Sequence, residues 1–404
     1  MEIKNPAVVL GMFETGLGVG RCLGRNKIKV FGLDFKKDVG FYSKYIKAYI
    51  CPHPSIEEKK FLDFLINFSK RFEYKPVLYI TSDSFLDIIS RNRNSLEKYY
   101  FMNISSQKLL ESIRHKFDQY HLALNSGVYA PETYFPKDLE EVNQIKDKLD
   151  YPVIIKAEEV TKWRKEISDT IKGFWINNPN ELVEKFSFIF KKNVQVVIQK
   201  IILGPAPNHF LYCAYVSQNG EFLHQFIERK FRNFPYPFGI GSAIKSFDFP
   251  ELLTIGEKFF KNINYRGTGM AEFKLDEEDD KLKLIEVNPR YWQQIALPER
   301  CGMNFALTEY LDITKQNPKP IDHFELEIKW VNIYLDFNSF LIYRRNGLLD
   351  FKEWLNTLKG KKVFSIFTWD DMLPVCYDLC NKSITTPKNL LKRIYKSDNQ
   401  LIAK

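Results

Sequence analysis

The alternation of apolar and polar residues is most regular between residues 269 and 288. Two stretches in this region, Gly269–Asp276 and Lys281–Asn288, alternate with a period of two and predict short strands. Four acidic residues separate them and predict the turn of a hairpin. If Asp276 faces Leu282 across this turn, one face of the hairpin is apolar and suited to a core, because it carries Ala271, Phe273, Leu275, Ile285 and Val287.

The opposite face of the hairpin collects oxygen atoms. In the same register Glu272 lies opposite Glu286, and Asn288 shares their face. Opposed carboxylates about 5 Å apart repel each other unless a cation lies between them or one acid is protonated. Mg²⁺ prefers such ligands, especially where phosphates complete its shell. A solvated hairpin is the alternative, but the nearby Arg290 favours a site, because a fixed cation suits a polyphosphate or a carboxylate.

The first hundred residues predict a doubly wound α/β unit. Two apolar strands are separated by a glycine-rich stretch that includes Gly16 and Gly18, and then by a helix. The glycine spacing does not match the dinucleotide fingerprint, so a tight turn and a ligand-binding loop both remain open. A later strand, residues 77–81, ends just before Asp83, which either caps a helix or faces a ligand at the strand's carboxyl end.

Further along, apolar strands end at residues that suit a nucleotide. The strand that follows Pro152 ends at Lys156, whose ammonium either snorkels to solvent or holds a phosphate. The strand that begins at Val194 ends at Ile201 and Ile202, which can form an apolar slot for a purine. A third strand carries Lys230 and Arg232, which alternation sends to one face, either as an anion site or as an exposed basic edge.

Bulk composition narrows the class of protein only modestly. A chain of 404 residues with 45% hydrophobic and 27% charged residues is typical of a globular protein of about two or three domains. The net charge of +9 favours anionic partners, but no basic patch with interleaved aromatic residues indicates nucleic-acid binding. The sequence shows neither an apolar run long enough to span a membrane nor a signal peptide, so we expect a cytoplasmic location. The cysteines are scattered, so we expect their thiols to be reduced.

The end of the chain is strongly basic. The last 23 residues carry Asp398 as their single acidic residue against Lys382, Lys388, Lys392, Arg393, Lys396 and Lys404. Such a tail is typical of a solvated helix, and the alternative is peripheral contact with an anionic membrane.

The hairpin motif resembles a known family. Glu272 and the segment Glu286–Arg290, which reads EVNPR, are similar to the metal-binding end of ATP-grasp enzymes, and more closely to carboxylate–amine ligases of the D-aspartate ligase type. The resemblance implies a fold that is α/β and α+β, with an N-terminal doubly wound α/β domain (1–104), an ATP-grasp fold (105–314) and a C-terminal α/β extension (315–404). The ATP-grasp part would comprise a small lid subdomain at about 125–200 and a larger metal-bearing subdomain at about 201–314.

The resemblance also assigns roles to individual residues. The metal ligands would be Glu272, Glu286 and Asn288, and the catalytic cations would be Arg290, Lys230 and Arg232. ATP would be bound by Lys116, Lys156, Lys172, Gln199, Lys200, Ile201 and Ile202. The substrates would contact Gly16, Gly18, Asp83, Trp163 and Trp292. Three departures from the family are His115 before Lys116, Lys200 where a glutamate is usual, and a basic segment in place of a glycine-rich loop before Gly173.

The implied activity is that of an ATP-dependent ligase. A carboxylate would be activated as an acyl phosphate and captured by an amine, with ATP and one or two Mg²⁺ ions as cofactors and Mn²⁺ as a possible substitute. The expected partners are small-molecule or precursor carboxylates and amines, without nucleic acid, and the oligomeric state is open. The alternatives are an ATP-grasp phosphotransferase, a nicotinamide-dependent dehydrogenase and an inactive ATP-binding protein.

Overall fold

A computed structural model describes residues 3–158, 160–168, 173–236, 239–381 and 402–403. The predicted ATP ligand Lys172 and most of the basic tail lie outside these residues. Within them, no helix combines the length and the apolar character that crossing a bilayer requires. The strands form three sheets, and the order of the strands in each sheet determines where the candidate site residues meet.

The first sheet has four parallel strands in the order β3-β2-β1-β4. Its strands are Ala7–Leu10 (β1), Val30–Asp34 (β2), Ile46–Ile50 (β3) and Val77–Ile80 (β4). Its helices are Glu14–Gly24 (α1), Glu58–Ser69 (α2), Asp83–Arg91 (α3) and Arg93–Leu96 (α4), and Val39–Tyr42 forms a 3₁₀ turn. The parallel order, with helices between the strands, confirms the predicted doubly wound α/β arrangement.

The glycine-rich stretch is a helix rather than a ligand-binding loop. Helix α1 already begins at Glu14, so Gly16 and Gly18 lie inside it and are buried. A Cβ atom at Gly16 would lie 1.8 Å from the Gly11 carbonyl oxygen, and one at Gly18 would lie 2.5 Å from Ile295 Cγ2. The predicted substrate contact of these two glycines is therefore wrong, because they allow close packing instead.

Two helices connect the first sheet to the rest of the chain. They are Gln107–Arg114 (α5) and Lys116–Asn125 (α6), and the extended backbone of His115 separates them. Ser106 caps the first of these helices by accepting a hydrogen bond from the Leu109 amide. This break between the helices makes Lys116 the first residue of α6.

The second sheet is small and has five strands in the order β16-β7-β6-β8-β5. They are Thr133–Tyr134 (β5), Val153–Ala157 (β6), Gly173–Ile176 (β7), Val196–Lys200 (β8) and Ile402–Ala403 (β16). The accompanying helices are Leu139–Ile145 (α7), Val160–Glu166 (α8) and Pro179–Phe190 (α9), with a 3₁₀ turn at Lys146–Lys148. A separate apolar cluster that includes Ile155, Phe174 and Leu182 packs this part of the chain.

The third sheet has seven strands in the order β13-β12-β9-β10-β11-β14-β15. They are His209–Val216 (β9), Phe222–Phe234 (β10), Ile240–Ser246 (β11), Gly267–Asp276 (β12), Lys281–Asn288 (β13), Lys329–Val331 (β14) and Lys362–Phe364 (β15). The associated helices are Pro250–Asn262 (α10), Ala296–Arg300 (α11), Phe305–Ile313 (α12), Ile333–Arg345 (α13) and Phe351–Thr357 (α14), with a 3₁₀ turn at Ala206–Asn208.

Apolar clusters cover both faces of the seven-stranded sheet. Along the fully buried β9, Phe210 and Tyr212 enter one cluster, whereas Leu211 and Cys213 enter the other, as alternation requires. The second cluster also contains residues of β1 and α1, so the first sheet packs against this face.

The C-terminal part of the chain is bound to both neighbouring regions. Strands β14 and β15 extend the large sheet. Arg21 of α1 donates from Nε to Asp371 Oδ2 at 2.9 Å and from Nη1 to the Ile366 carbonyl at 2.7 Å, and both members of this ion pair are buried. Asp371 also accepts from Ser43 Oγ at 2.6 Å. These bonds fix the C-terminal part against the first sheet.

Candidate active site

The hairpin of β12 and β13 places Glu272 opposite Glu286 as predicted, although the pairing of the strands near the turn differs from the prediction. Asp276 faces Lys281 rather than Leu282, so the predicted register at the turn is wrong by one residue. A β-bulge corrects the difference, because Ile285 is an extra residue between the pairs Phe273–Leu284 and Glu272–Glu286. Consequently Leu282 and Leu284, and not Ile285, join the apolar core.

Both carboxylates of the opposed pair are held by cations. Glu272 Oε1 accepts from Lys230 Nζ at 2.6 Å and lies 3.0 Å from His209 Nδ1, while Glu286 Oε1 accepts from Lys116 Nζ at 3.0 Å. Burial favours the protonated form of Glu272, but Lys230 and His209 outweigh it and hold the pKa of this carboxyl well below its usual range. The charge of Lys116 lowers the pKa of Glu286, whose side chain is about half exposed. Both acids therefore stay ionised, and cations rather than a shared proton relieve their repulsion.

Lys116 and Lys156 reach this site from different parts of the fold. Lys116 begins α6, whereas Lys156 lies on β6 of the small sheet, where its Nζ donates to Gln199 Oε1 of β8 at 2.6 Å. Gln199 in turn donates to Thr133 Oγ1 at 2.7 Å. Burial would raise the pKa of the Tyr120 phenol, but the charges of Lys156 and Lys116 lower it. The structure thus brings together three residues that were predicted to bind ATP.

The segment after β8 forms the predicted apolar wall. Ile201 and Ile202 are both buried. Lys274 of β12 donates from Nζ to the Ile202 carbonyl at 2.7 Å and to the Gly204 carbonyl at 3.2 Å, which ties this segment to the hairpin. Burial lowers the pKa of Lys274 to about 8. Lys200 is less suited to its predicted role, since its ammonium forms ion pairs with Glu278 at 2.7 Å and Asp150 at 3.2 Å.

Lys230 and Arg232 do not act together, in contrast to the prediction. A register shift between β10 and β11 falls between the two residues, which breaks the alternation on which the prediction depended. Lys230 reaches Glu272, whereas Arg232 donates from Nε and Nη2 to the two oxygens of Asp336 at 2.7 and 2.8 Å. Arg232 is also buried among residues of the C-terminal part, so its predicted catalytic role is wrong.

Arg290 is held between the hairpin and the first sheet. Its Nε and Nη2 donate to Asp83 Oδ1 and Oδ2 at 2.6 and 2.9 Å, and Nη2 also lies 3.2 Å from Asn288 Oδ1. Burial opposes the charged forms, but the pair lowers the pKa of Asp83 and raises that of Arg290. Asp83 is the first residue of α3, and the N-cap position before it is occupied by Ser82, whose side chain makes no capping hydrogen bond. The Asp83 carboxylate is instead paired with Arg290 of the candidate site.

The two tryptophans predicted to contact substrates are core residues. Trp163 is 2% exposed and packs against Phe174 of the five-stranded sheet, with ring centroids 5.7 Å apart. Trp292 is 1% exposed, and its indole donates to Glu228 Oε1 at 2.9 Å. Neither side chain is exposed to a ligand, so both substrate predictions are wrong, because the large apolar surface of an indole favours burial.

Three residues of the site were missed. His209 contacts Glu272, Tyr120 donates to the Ile285 carbonyl beside Glu286, and Lys274 holds the apolar wall. Tyr120 could have been found, because it lies four residues after Lys116 and therefore on the same face of a helix. The contacts of His209 and Lys274 depend on the pairing of β9 with β12, which the sequence does not indicate.

The donor set suits a hard cation that shares its shell with phosphate. Glu272, Glu286 and Asn288 supply two ionised carboxylates and an amide oxygen, which are the ligand types that Mg²⁺ prefers. No group of three or more His, Cys, Asp or Glu side chains that could hold a metal occurs in the described part of the chain. A cation at the hairpin would therefore need further oxygens, such as those of a nucleotide.

Comparisons with known proteins agree with this geometry. No protein-family model matches the chain. It is 22% identical to the D-aspartate ligase of Enterococcus faecium over 278 residues, which are 66% of this chain and 66% of that protein. Among solved structures, it resembles the L-amino acid ligase of Bacillus licheniformis with a TM-score of 0.59 and 15% identity, over 80% of this chain and 79% of that one. The chain has the ATP-grasp fold.

A further structural relative carries a nucleotide. The biotin carboxylase domain of the Hydrogenobacter thermophilus 2-oxoglutarate carboxylase, solved with MgADP and bicarbonate, matches with a TM-score of 0.63 and 16% identity, over 81% of this chain and 74% of that one. The predicted resemblance to ATP-grasp enzymes and to D-aspartate ligase is thereby confirmed, as is the predicted fold class.

Proposed function

We propose that this ATP-grasp protein joins a carboxylate to an amine at the expense of ATP. The observation that carries the proposal is the meeting of Lys116, Lys156 and Lys230 around the opposed carboxylates Glu272 and Glu286. Such a set of fixed cations and metal-binding oxygens suits the triphosphate of a nucleotide. The names of the relatives, a D-aspartate ligase and an L-amino acid ligase, favour an amino acid as one of the two substrates.

The proposed reaction has two steps. A carboxylate oxygen attacks the γ-phosphorus of ATP, the bond from that phosphorus to the bridging oxygen breaks, and ADP leaves. The product is an acyl phosphate. The amine then attacks the acyl carbon, inorganic phosphate leaves with the electrons of the carbon–oxygen bond, and the nitrogen loses a proton to give an amide. Activation is needed because a carboxylate would otherwise have to expel oxide.

The residues of the site have distinct proposed roles. Lys116 and Lys156 would hold phosphate oxygens, and Ile201 and Ile202 would cover the purine. Glu272, Glu286 and Asn288 would hold Mg²⁺, which neutralises charge on the polyphosphate when it is bound. Arg290 would hold the donor carboxylate and then the acyl phosphate, since its planar fork matches both anions.

The test is amine-dependent release of phosphate and ADP from ATP in the presence of Mg²⁺. We expect wild-type protein to release both when a suitable amino acid and a second carboxylate are supplied from a panel. Release of ADP with a stable phosphorylated product, and without any need for an amine, would instead identify a phosphotransferase.

Substitutions of the metal ligands make the assignment specific. We expect Glu286→Ala and Asn288→Ala to abolish ADP release, because each removes a proposed metal ligand, while circular dichroism and the unfolding midpoint stay close to wild type. Asp280→Asn, in the exposed turn of the same hairpin, is the matched control and should keep full activity. Retained ATP turnover in Glu286→Ala or Asn288→Ala would contradict the metal assignment.

A further inference from the structure

The main-chain carbonyl of the bulged residue beside Glu286 is held by side chains of a helix and not only by the sheet. Ile285 is the extra residue of β13, and β13 is the edge strand of the seven-stranded sheet. A bulged residue is left out of the ladder and redirects the side chain next to it. What holds the Ile285 carbonyl therefore also affects the direction of the neighbouring Glu286 carboxylate.

Helix α6 covers the outer side of β13 at the bulge, whereas the Tyr129 carbonyl accepts a hydrogen bond from the Leu284 amide just before it, at 2.8 Å. Tyr120 donates its hydroxyl to the Ile285 carbonyl at 3.1 Å, and Gln119 Nε2 lies 3.5 Å from the same oxygen. Gln119 Oε1 accepts from the Val287 amide at 3.0 Å. One turn earlier, Lys116 of this helix pairs with the Glu286 side chain. Three side chains of α6 thus hold three consecutive residues of β13.

We propose that Tyr120 is a positioning residue of the candidate metal site. Its hydroxyl fixes the Ile285 carbonyl, and the fixed bulge aims the Glu286 carboxylate towards Glu272. The inference rests on the proposed function, since it assigns Tyr120 to the Mg²⁺ that Glu272, Glu286 and Asn288 would hold. Residues that orient a metal ligand, here through the main chain next to it, commonly change metal affinity by about 10–100-fold.

The geometry separates this role from a general structural one. Gln119 is buried and bonds the Val287 amide, so β13 remains attached to α6 when the tyrosine hydroxyl is removed. Tyr120 is 3% exposed, and phenylalanine would keep the ring that packs there. Tyr120→Phe therefore removes the bond that orients the bulge and leaves the packing in place.

The experiment measures binding of ADP across a series of Mg²⁺ concentrations by calorimetry, with thermal unfolding of the same samples as a second readout. We expect Tyr120→Phe to raise the half-saturating Mg²⁺ concentration by about tenfold, and to weaken binding of ADP much more in the presence of Mg²⁺ than in its absence. The added stabilisation by Mg²⁺ and ADP over ADP alone should shrink accordingly.

Tyr100→Phe is the matched control. Tyr100 is 1% exposed and donates to the Leu65 carbonyl at 2.7 Å, so this variant loses a comparable bond outside the site. Without ligands, its unfolding midpoint should be similar to that of Tyr120→Phe. Its half-saturating Mg²⁺ concentration for ADP binding should equal that of the wild-type protein.

The possible results separate the inference from the proposed function. An unchanged half-saturating Mg²⁺ concentration in Tyr120→Phe overturns the positioning role, and so does an equal loss of affinity with and without Mg²⁺. Both results leave the proposed function standing. Absence of Mg²⁺-dependent ADP binding in wild type would instead overturn the metal site itself.

Discussion

Lys230 and Arg232 are two residues apart on one strand, and they illustrate two kinds of ion pair in this protein. Lys230 makes a single contact with one oxygen of Glu272. Arg232 engages both oxygens of Asp336 and also donates to Thr357 at 2.6 Å. Both cations are buried, so burial alone does not distinguish a site residue from a structural one.

The number of bonds to each carboxylate makes the distinction. Asp336 is fully buried and accepts from Arg232, from Ser242 Oγ at 3.1 Å and from Trp354 Nε1 at 2.9 Å. The contacts of Glu272, by contrast, fall on one oxygen, Oε1, and Glu286 has a half-exposed side chain with Lys116 as its ammonium partner. A carboxylate with one ammonium partner can exchange it for a metal ion, whereas a carboxylate surrounded by fixed donors has no ligand position to offer.

The largest expected effect breaks the structural pair. We expect Asp336→Ala to lower the free energy of unfolding by about 3–5 kcal/mol, because it leaves the Arg232 guanidinium buried without its counter-charge. Denaturant unfolding measures this change. Asp322→Ala, whose side chain is 93% exposed, should change stability by less than about 0.5 kcal/mol. A loss below about 1 kcal/mol for Asp336→Ala would show that the pair is not structural.

Glu228 tests the comparison at a buried carboxyl that forms no ion pair within the described residues. It is fully buried, one oxygen accepts from Trp292, and in the described part of the chain its other oxygen has no hydrogen-bond partner. Burial raises the pKa of Glu228 from its usual 4.5 to about 8. The folded state therefore binds the proton more tightly than the unfolded state, so the stability due to this group is complete below about pH 4.5 and is lost as the pH rises to about 8.

We expect Glu228→Gln to remove this pH dependence. Between pH 5 and pH 8 the free energy of unfolding of the wild-type protein should fall by as much as about 4 kcal/mol more than that of Glu228→Gln. A smaller slope should remain from Glu309, whose pKa burial raises to about 7. Chemical unfolding at several pH values measures both slopes, and an unchanged slope in Glu228→Gln would show that this carboxyl is ionised at neutral pH.

The smallest expected effect concerns Asp83, which combines features of both kinds of pair. It binds Arg290 through two oxygens, as Asp336 binds Arg232, but its side chain is 60% exposed. If solvent exposure decides the energetic contribution, Asp83→Asn should lower stability by no more than about 1 kcal/mol. Thermal or denaturant unfolding measures this. A loss near that of Asp336→Ala would show that bidentate geometry matters more than exposure.

The sequence predicted those features that depend on local periodicity. The parallel first sheet, the hairpin and the opposition of Glu272 to Glu286 all follow from alternation and turn residues, and the structure agrees with each. The register of the turn was wrong, and the bulge at Ile285 compensated for it. Bulges have no reliable signal in a single sequence, because any residue can be the extra one.

The wrong assignments share a physical cause, which is packing between distant segments. Arg232 is bound by Asp336 from 104 residues downstream, and Trp292 is bound by Glu228. Gly18 is required because Ile295 lies against α1. None of these contacts leaves a local pattern in the sequence. Residues of a suitable chemical type were therefore predicted to contact ligands, whereas in the structure they bind distant residues of the same chain.

The position of α6 over the edge of the large sheet has a consequence for synthesis of the chain. Tyr120 precedes its partner in β13 by 165 residues, so the ribosome completes this helix long before it makes the hairpin. An uncovered edge strand invites pairing with other molecules. Here the cover is made first, and the hairpin can therefore dock as it emerges, with little time for its open edge to recruit a strand from a neighbouring nascent chain.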